Sequence, residues 1–159
     1  MHERKVLLFF LCAFFLGYAT TAAAAASKGR GPCQAVSKAQ AADILGVRQS
    51  DLLVQTFDDL PSRCVIRSKS NFLKSISFSV YHEGGAAEAK RDFDKMRQTL
   101  GILSKIETVP GLGDAAFWAG DDRVKRLALI KGSIFIDIRS PRKRAQQEKI
   151  ARILLSDIH

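Results

Sequence analysis

The chain has 159 residues, with 25 lysines and arginines against 16 aspartates and glutamates and only three histidines. That length holds one domain with a real core and excludes two of ordinary size. The formal charge of +9 favours anionic surroundings (phosphate-rich headgroups, acidic polymers or an acidic partner) without selecting among them.

The amino terminus reads as a cleavable export signal. Arg4 and Lys5 give a positive start, an apolar run extends from Val6 to Leu16, and Gly17-Tyr18-Ala19 lead into the small residues Thr20 to Ala26. Signal peptidases need small side chains just before the cut because their pockets are shallow, so Ala24-Ala25-Ala26 sets the mature start near Ser27. An uncleaved anchor needs about 20 mainly apolar residues. Val6 to Ala26 spans that length, but its second half is alanine and threonine rather than leucine. Cys12 sits in mid-run between Leu11 and Ala13 and does not follow a small-residue turn, so lipid attachment there is rejected. Residues 1–26 are then the signal, and residues 27–159 are a single domain that is periplasmic or secreted.

Cys33 and Cys64 remain after the signal is removed. In an oxidising compartment an isolated pair is most simply a disulfide. It closes a loop of about 30 residues, worth roughly 3–4 kcal/mol in the chain-entropy account. Two thiols so far apart, without accompanying histidines, do not make a zinc site, and no Cys-x-x-Cys is present for redox chemistry.

Along the mature chain, Ser27 to Pro32 is a basic, glycine-bearing lead-in. Ser37 as N-cap and Gln40 three residues later form a capping box, with Val36 and Ala41 as a weak staple. Ala41, Ile44 and Leu45 make the buried stripe of that helix, and Gly46 ends it. Three strands are predicted next: Leu52 to Phe57, Arg63 to Lys69, and Leu73 to His82. The third alternates Ile76, Phe78 and Val80 with Ser75, Ser77 and Ser79, the mark of a sheet with one buried face. Ala86, Ala89, Phe93, Met96 and Leu100 then recur at helical spacing.

Further strands are predicted over Asp114 to Ala119, Arg123 to Lys131 and Ser133 to Arg139. Ser140 and Pro141 are placed as N-cap and first residue of a last helix, whose stripe is Ile150, Ile153, Leu154 and Ile158. Each half therefore reads strand, strand, strand, helix, with Ile76 and Ile134 in equivalent places. The pattern fits an internal duplication or the ordinary recurrence of hairpins followed by a helix. Either way the fold expected is α+β, an antiparallel sheet of about six strands covered by helices.

Catalytic constellations are sparse. His82 stands at a strand end beside Glu83 with no nucleophile motif near it. The acid pairs Asp58-Asp59 and Asp121-Asp122 fall in predicted turns, where aspartate is favoured for local reasons. No metal-binding, calcium-loop or phosphate-loop motif is present, and no cofactor is expected. Pro110-Gly111-Leu112-Gly113-Asp114 precedes a strand, not a helix, so it reads as a turn. Trp118 is read as core or as an exposed aromatic on a binding face. Arg139, Arg142, Lys143 and Arg144 crowd the expected start of the last helix, where free N–H groups also seek an anion. They are the candidate anion-binding site, against the alternative of a solvated charged surface. No reader motif for nucleic acid is present.

Pro32-Cys33, the helix ending Leu45-Gly46, Cys64, and Val109 through Ala116 with its Gly-Leu-Gly-Asp-Ala-Ala core resemble a loose class of small bacterial exported domains and lipoproteins of unknown function. The resemblance implies a Cys33–Cys64 pair, with the glycine segment entering the second half of the sheet. The chain departs from lipoprotein members by lacking a lipid-attachment cysteine, and the class carries no catalytic residues to transfer. The function expected is an exported, non-catalytic envelope binding or accessory module with a basic surface. Its partner would be an anionic envelope component or an acidic exported protein. The alternatives are a small hydrolase using Asp or Glu with His82, and an inhibitory or structural partner of another exported protein.

Overall fold

The computed structural model describes residues 31–57, 62–120, 125–141 and 143–157. The expected export signal, the acid pairs Asp58-Asp59 and Asp121-Asp122, and Arg142, Ile158 and His159 lie outside the described residues. In chain order the elements are α1 (Pro32–Ala35), α2 (Lys38–Leu45), a short 3-10 turn (Gln49–Asp51), β1 (Leu52–Thr56), β2 (Arg63–Ser68), β3 (Ser75–His82), α3 (Ala86–Leu103), β4 (Ile106–Thr108), β5 (Ala115–Gly120), β6 (Lys125–Lys131), β7 (Ile134–Ser140) and α4 (Arg144–Asp157).

Local chemistry sets α2 as expected. The Ser37 hydroxyl accepts from the Gln40 N–H, and the Gln40 side chain accepts from the Ser37 N–H. Val36 and Ala41, the staple pair, are both buried. Gly46 closes the helix in the left-handed region at φ 62°, with its N–H on the carbonyls of Ala42 and Asp43. A side chain is disfavoured there, which is why glycine ends this helix. Cys33 and Cys64 are joined, with sulfurs 1.99 Å and Cα atoms 5.1 Å apart. This bridge fastens the four-residue α1, too short to stand alone, onto β2.

The seven strands form one antiparallel sheet in the order β1-β2-β3-β7-β6-β5-β4. Two meanders meet where β3 pairs with β7, placing Phe78 opposite Ile138 and Val80 opposite Ile136. The sheet has one strand more than the sequence pattern implied. The extra one is β4, three residues long, whose Ile106-Glu107-Thr108 offers too few positions for an alternation to be seen.

Alternate residues of each strand go to opposite faces. One face carries Ile66, Ile76, Phe78, Leu127, Leu129 and Ile138, and it is covered by Leu45 of α2 and by Ile150 and Leu154 of α4. On the other, α3 lays Ala89 and Phe93 on Phe117, Ala128, Ile130 and Phe135. The Phe93 and Phe117 rings meet tilted at 5.0 Å. The main contacts of α3 are with β4 to β7. Among the described residues no helix covers the β1–β3 half of that face.

Three strands followed by a helix recur as β1–β3 with α3 and β5–β7 with α4, β4 being additional in the second half, but the helices do not follow a two-fold. An axis relating antiparallel β3 and β7 stands perpendicular to the sheet and would keep both helices on one face. Here α3 and α4 lie on opposite faces.

The start of α4 corrects the sequence reading. Ser140 is not an N-cap and Pro141 is not in the helix: Ser140 is the last residue of β7, opposite Lys125 of β6. Its hydroxyl donates to the Ser75 carbonyl at 2.8 Å, fastening β7 to the start of β3. Ladder pairing with β6 and the side-chain bond to β3 outweigh the local capping preference of serine, and helix begins only at Arg144. Gln147, fully buried on α4, donates to the Lys125 carbonyl at 2.7 Å and seats the helix on this end of the sheet.

Candidate functional site

The uncovered half-face is polar by construction. β2 turns Arg63, Val65 and Arg67 to it, β3 turns Ser75, Ser77, Ser79 and Tyr81, and β7 turns Asp137 and Arg139. The ladder sets Arg63 opposite Ser79 and Arg139 opposite Ser77, so the two arginines flank the serine row diagonally. Ladder geometry puts their Cα atoms roughly 12 Å apart, within converging reach of two long side chains.

Two adjoining depressions follow this row. One, of about 220 Å³, is lined by Ser62, Arg63, Ser77, Ser79, Tyr81 and Asp137, with Arg139 at its wall. The second, of about 300 Å³, adds Val65, Ser75, Lys125 and Pro141. Arg63, Ser77 and Arg139 line both, which makes one groove along β3. Asp137 is the only carboxylate among the lining residues. Tyr81 closes one end, stacked on Phe135 with centroids 5.7 Å apart.

Asp137 is already occupied. Its side chain is 3 % exposed, and it accepts two parallel bonds from Arg126, from Nε at 2.5 Å and from Nη2 at 2.6 Å. A third comes from Arg139 Nε at 3.0 Å. Such bidentate pairing fixes the guanidinium planes. It also holds Arg139, still 48 % exposed, over the groove. Among the described residues, four arginines (Arg63, Arg67, Arg126 and Arg139) thus share this half-face with one carboxylate, Asp137. Arg63 stacks on the Phe57 ring at 5.3 Å, which leaves its N–H edge free to donate.

The basic run expected to bind an anion is divided by the fold. Arg139 lies in β7 and faces the groove; Lys143 is exposed just before α4. Arg144 begins α4 and pairs with Glu148 at 2.7 Å and Glu107 at 3.2 Å. Arg63 and Arg67 are not among the residues expected at the site, and Arg126 is expected there only as charge near the basic run, together with Arg123, Lys125 and Lys131. The alternation Arg63-Val65-Arg67 beside the serines of the next strand was the signal for the first two.

Pro110 to Asp114 forms a turn ahead of β5, as expected, and its chemistry is structural. Gly113 stands at φ 61°, and a side chain there would run into the Ile130 carbonyl. The Asp114 N–H donates to that carbonyl at 2.8 Å, while its carboxylate accepts from the Gly132 N–H at 2.7 Å. This bond and Lys131 hold the Asp114 carboxyl below its usual range. Trp118 is half-buried against the α4 side of the sheet and stacks over Gly120, so it belongs to packing and not to the groove. His82 ends β3 and is exposed; it lines neither depression. Among the described residues no group of three or more His, Cys, Asp or Glu is placed to hold a metal ion. No described helix is long and apolar enough to cross a membrane.

No family model matches the chain, and no curated protein matches it. Among solved structures, a GTP binding regulator from Thermotoga maritima is similar at 14% identity and a TM-score of 0.46, over 76% of this chain and 89% of that one.

Proposed function

We propose that the chain is an exported, non-catalytic binding module for an anionic envelope component or acidic exported protein. The observation that carries this reading is the groove along β3. Arg63 and Arg139 flank the Ser77 hydroxyl there, and Asp137, the single carboxylate among the described lining residues, is already paired with Arg126 and Arg139. Guanidinium forks and hydroxyl donors on a rigid sheet suit phosphate, sulfate or carboxylate oxygens, and serine rows provide donors without closing the groove. The disulfide is at home in the oxidising compartment that export implies.

Inorganic polyphosphate is a suitable probe. Paired Arg63→Ala and Arg139→Ala substitutions should weaken its binding about tenfold or more, as loss of two charge-assisted contacts does. Lys143→Ala with Arg144→Ala, in the basic run ahead of α4, should do less because Arg144 is already paired. Lys149→Ala with Arg152→Ala, exposed on the outside of α4, should do least. Equal losses in all three pairs would mean that net charge alone binds the probe, and the groove would not be the site.

A further inference from the structure

Among the described residues, five large apolar side chains are exposed: Phe72, Leu73, Tyr81, Ile102 and Leu103. Tyr81 belongs to the groove. The other four lie at one end of the molecule, although they come from distant parts of the chain. Phe72 and Leu73 sit in the β2–β3 connection, next to the start of β3. Because α3 leaves the far end of β3 and runs back about 27 Å, its last residues, Ile102 and Leu103, return to that same end. There Ile106 opens β4 opposite Ala119 at the close of β5. The two apolar pairs stand about four strand widths apart, roughly 20 Å.

The first pair is not a frayed tip. Asp51 accepts from the Ser68 hydroxyl and from both the N–H and hydroxyl of Ser70, which fixes the root of the hairpin. Asn71 accepts from the Leu73 N–H through its side chain at 3.0 Å and from the Lys74 N–H through its carbonyl at 2.9 Å. The turn holds Phe72 at 74% exposure and Leu73 at 59%. The second pair closes the last turn of α3, where the Ser104 N–H donates to the Leu100 carbonyl at 2.8 Å. Lysines flank both pairs: Lys69 and Lys74 around the first, Lys105 beside the second. Lys69 and Lys74 direct their amines to the carbonyls of Ser50 and Gly46, which leave their charge in place, and Lys69 also lies within electrostatic reach of Asp51. Between the pairs, the groove runs out past Ser75, Pro141 and Lys125. Of the described acids at this end, Asp51 is tied to the serines and Glu107 to Lys105 and Arg144.

Apolar side chains held out at two points, with cations beside and between them, match a surface that is greasy beneath and negative on top. From this, and resting on the reading that the partner is anionic, we infer that this end of the sheet docks on an anionic lipid bilayer. Phe72-Leu73 and Ile102-Leu103 enter the headgroup boundary, while Lys69, Lys74, Lys105 and Lys125 meet lipid phosphates. Neither contact suffices alone, since one modest apolar insertion gives marginal, reversible attachment, and a second signal stabilises it.

Vesicle sedimentation of the protein recovered after export tests this, because wild type and variants then share one amino terminus and any contribution from it cancels. The wild type should sediment with vesicles of mixed phosphatidylcholine and phosphatidylglycerol and remain in solution with phosphatidylcholine alone. Replacing Phe72, Leu73, Ile102 and Leu103 by serine should lower the partition about tenfold or more and leave polyphosphate binding intact. A Phe72→Trp variant should shift its emission to the blue on the mixed vesicles. Sedimentation of the four-serine variant at wild-type level, equal binding to phosphatidylcholine alone, or an unshifted emission from the Phe72→Trp protein would each overturn the inference. Polyphosphate binding without vesicle binding would overturn it while sparing the groove. Loss of both in the wild type would remove the two together.

Discussion

The two faces of this sheet are made from the same strands and have opposite fates. The face under α1, α2 and α4 is apolar from β2 across to β5, and Ile66, Ile76, Leu127, Leu129, Ile136 and Ile138 are essentially inaccessible there. On the other face the buried apolar residues concentrate where α3 reaches. Under α3 the inward residues are Phe117, Ala128, Ile130 and Phe135; beyond it they become Arg63, Arg67, Ser77 and Ser79. The boundary falls on β7, where Phe135 packs under the helix and Asp137, two residues on, begins the polar half. One helix covers about four strands because side chains make a helix 10–12 Å wide and its partners reach further. Among the described residues α3 is the single helix on that face, and it leaves the rest of the seven-stranded sheet uncovered. The groove is what this geometry leaves over, and the sequence fills it with cations instead of hiding it.

Neighbouring residues of β7 give the sharpest way to break the comparison. Ile138→Ala, on the closed face, should cost about 2–5 kcal/mol through lost burial and a cavity. Asp137→Ala, on the open face, should cost about 3–5 kcal/mol for a different reason: it strands the largely buried Arg126 guanidinium without its partner. Adding Arg126→Leu to Asp137→Ala should restore most of that loss, whereas no second truncation rescues Ile138→Ala. Urea unfolding midpoints at unchanged slope would report this. A cost for Asp137→Ala within the range of an ordinary surface change would show that ion pairing does not organise the open half.

Smaller effects come from the turns that serve the two halves. Asp51 holds the hairpin of the open half and Asp114 the β6–β7 turn of the covered half. Both carboxyls sit below their ordinary value, Asp51 chiefly through the Ser68 hydroxyl and Asp114 chiefly through the Gly132 N–H. A carboxyl depressed in the folded state stabilises above its unfolded pKa, and that contribution is lost as pH falls through the folded one. The wild type should therefore lose stability on acidification from pH near 5 to below the ordinary carboxylate value of 3.8. Asp51→Asn should flatten that loss more than Asp114→Asn, because Asp51 accepts three hydrogen bonds from serines and Asp114 accepts one backbone bond and one from Lys131. Equal flattening would show the two turns to be anchored alike.

Much of this arrangement is legible in the sequence, and the parts that are not have physical reasons. The β3 alternation predicted one buried and one polar face correctly, because a period of two leaves little freedom in a strand. The capping box and Gly46 placed α2 to the residue, since those signals act within one turn. The pairing of Cys33 with Cys64 was legible because they are the two cysteines outside the expected export signal. What escaped depends on distant partners. Ser140 has the chemistry of an N-cap, yet β3 and β6 claim it for the sheet. Asp137 reads as a solvent residue of an amphipathic strand until Arg126, eleven positions earlier, arrives beside it. Which half of a polar face stays open follows from where α3 lies on it, and no local pattern encodes that.

The smallest expected effect is also the most discriminating for the groove. Ser77 lies between Arg63 and Arg139 and is partly exposed, and its hydroxyl makes no hydrogen bond to the described residues. Ser77→Ala removes one oxygen from a partly exposed position in the groove, so stability should stay within about 0.5 kcal/mol of wild type. If the hydroxyl donates to a bound oxyanion, polyphosphate affinity should nevertheless fall several-fold, as for one lost charge-assisted hydrogen bond. Ser75→Ala, opposite Arg67 and away from the paired arginines, should change it less. A Ser77→Ala protein that binds as the wild type does would reduce the serine row to a passive spacer, and the arginines alone would define the site. Calorimetric titration with polyphosphate beside a melting curve separates the two, because only a contact made to the ligand lowers affinity while leaving the fold untouched.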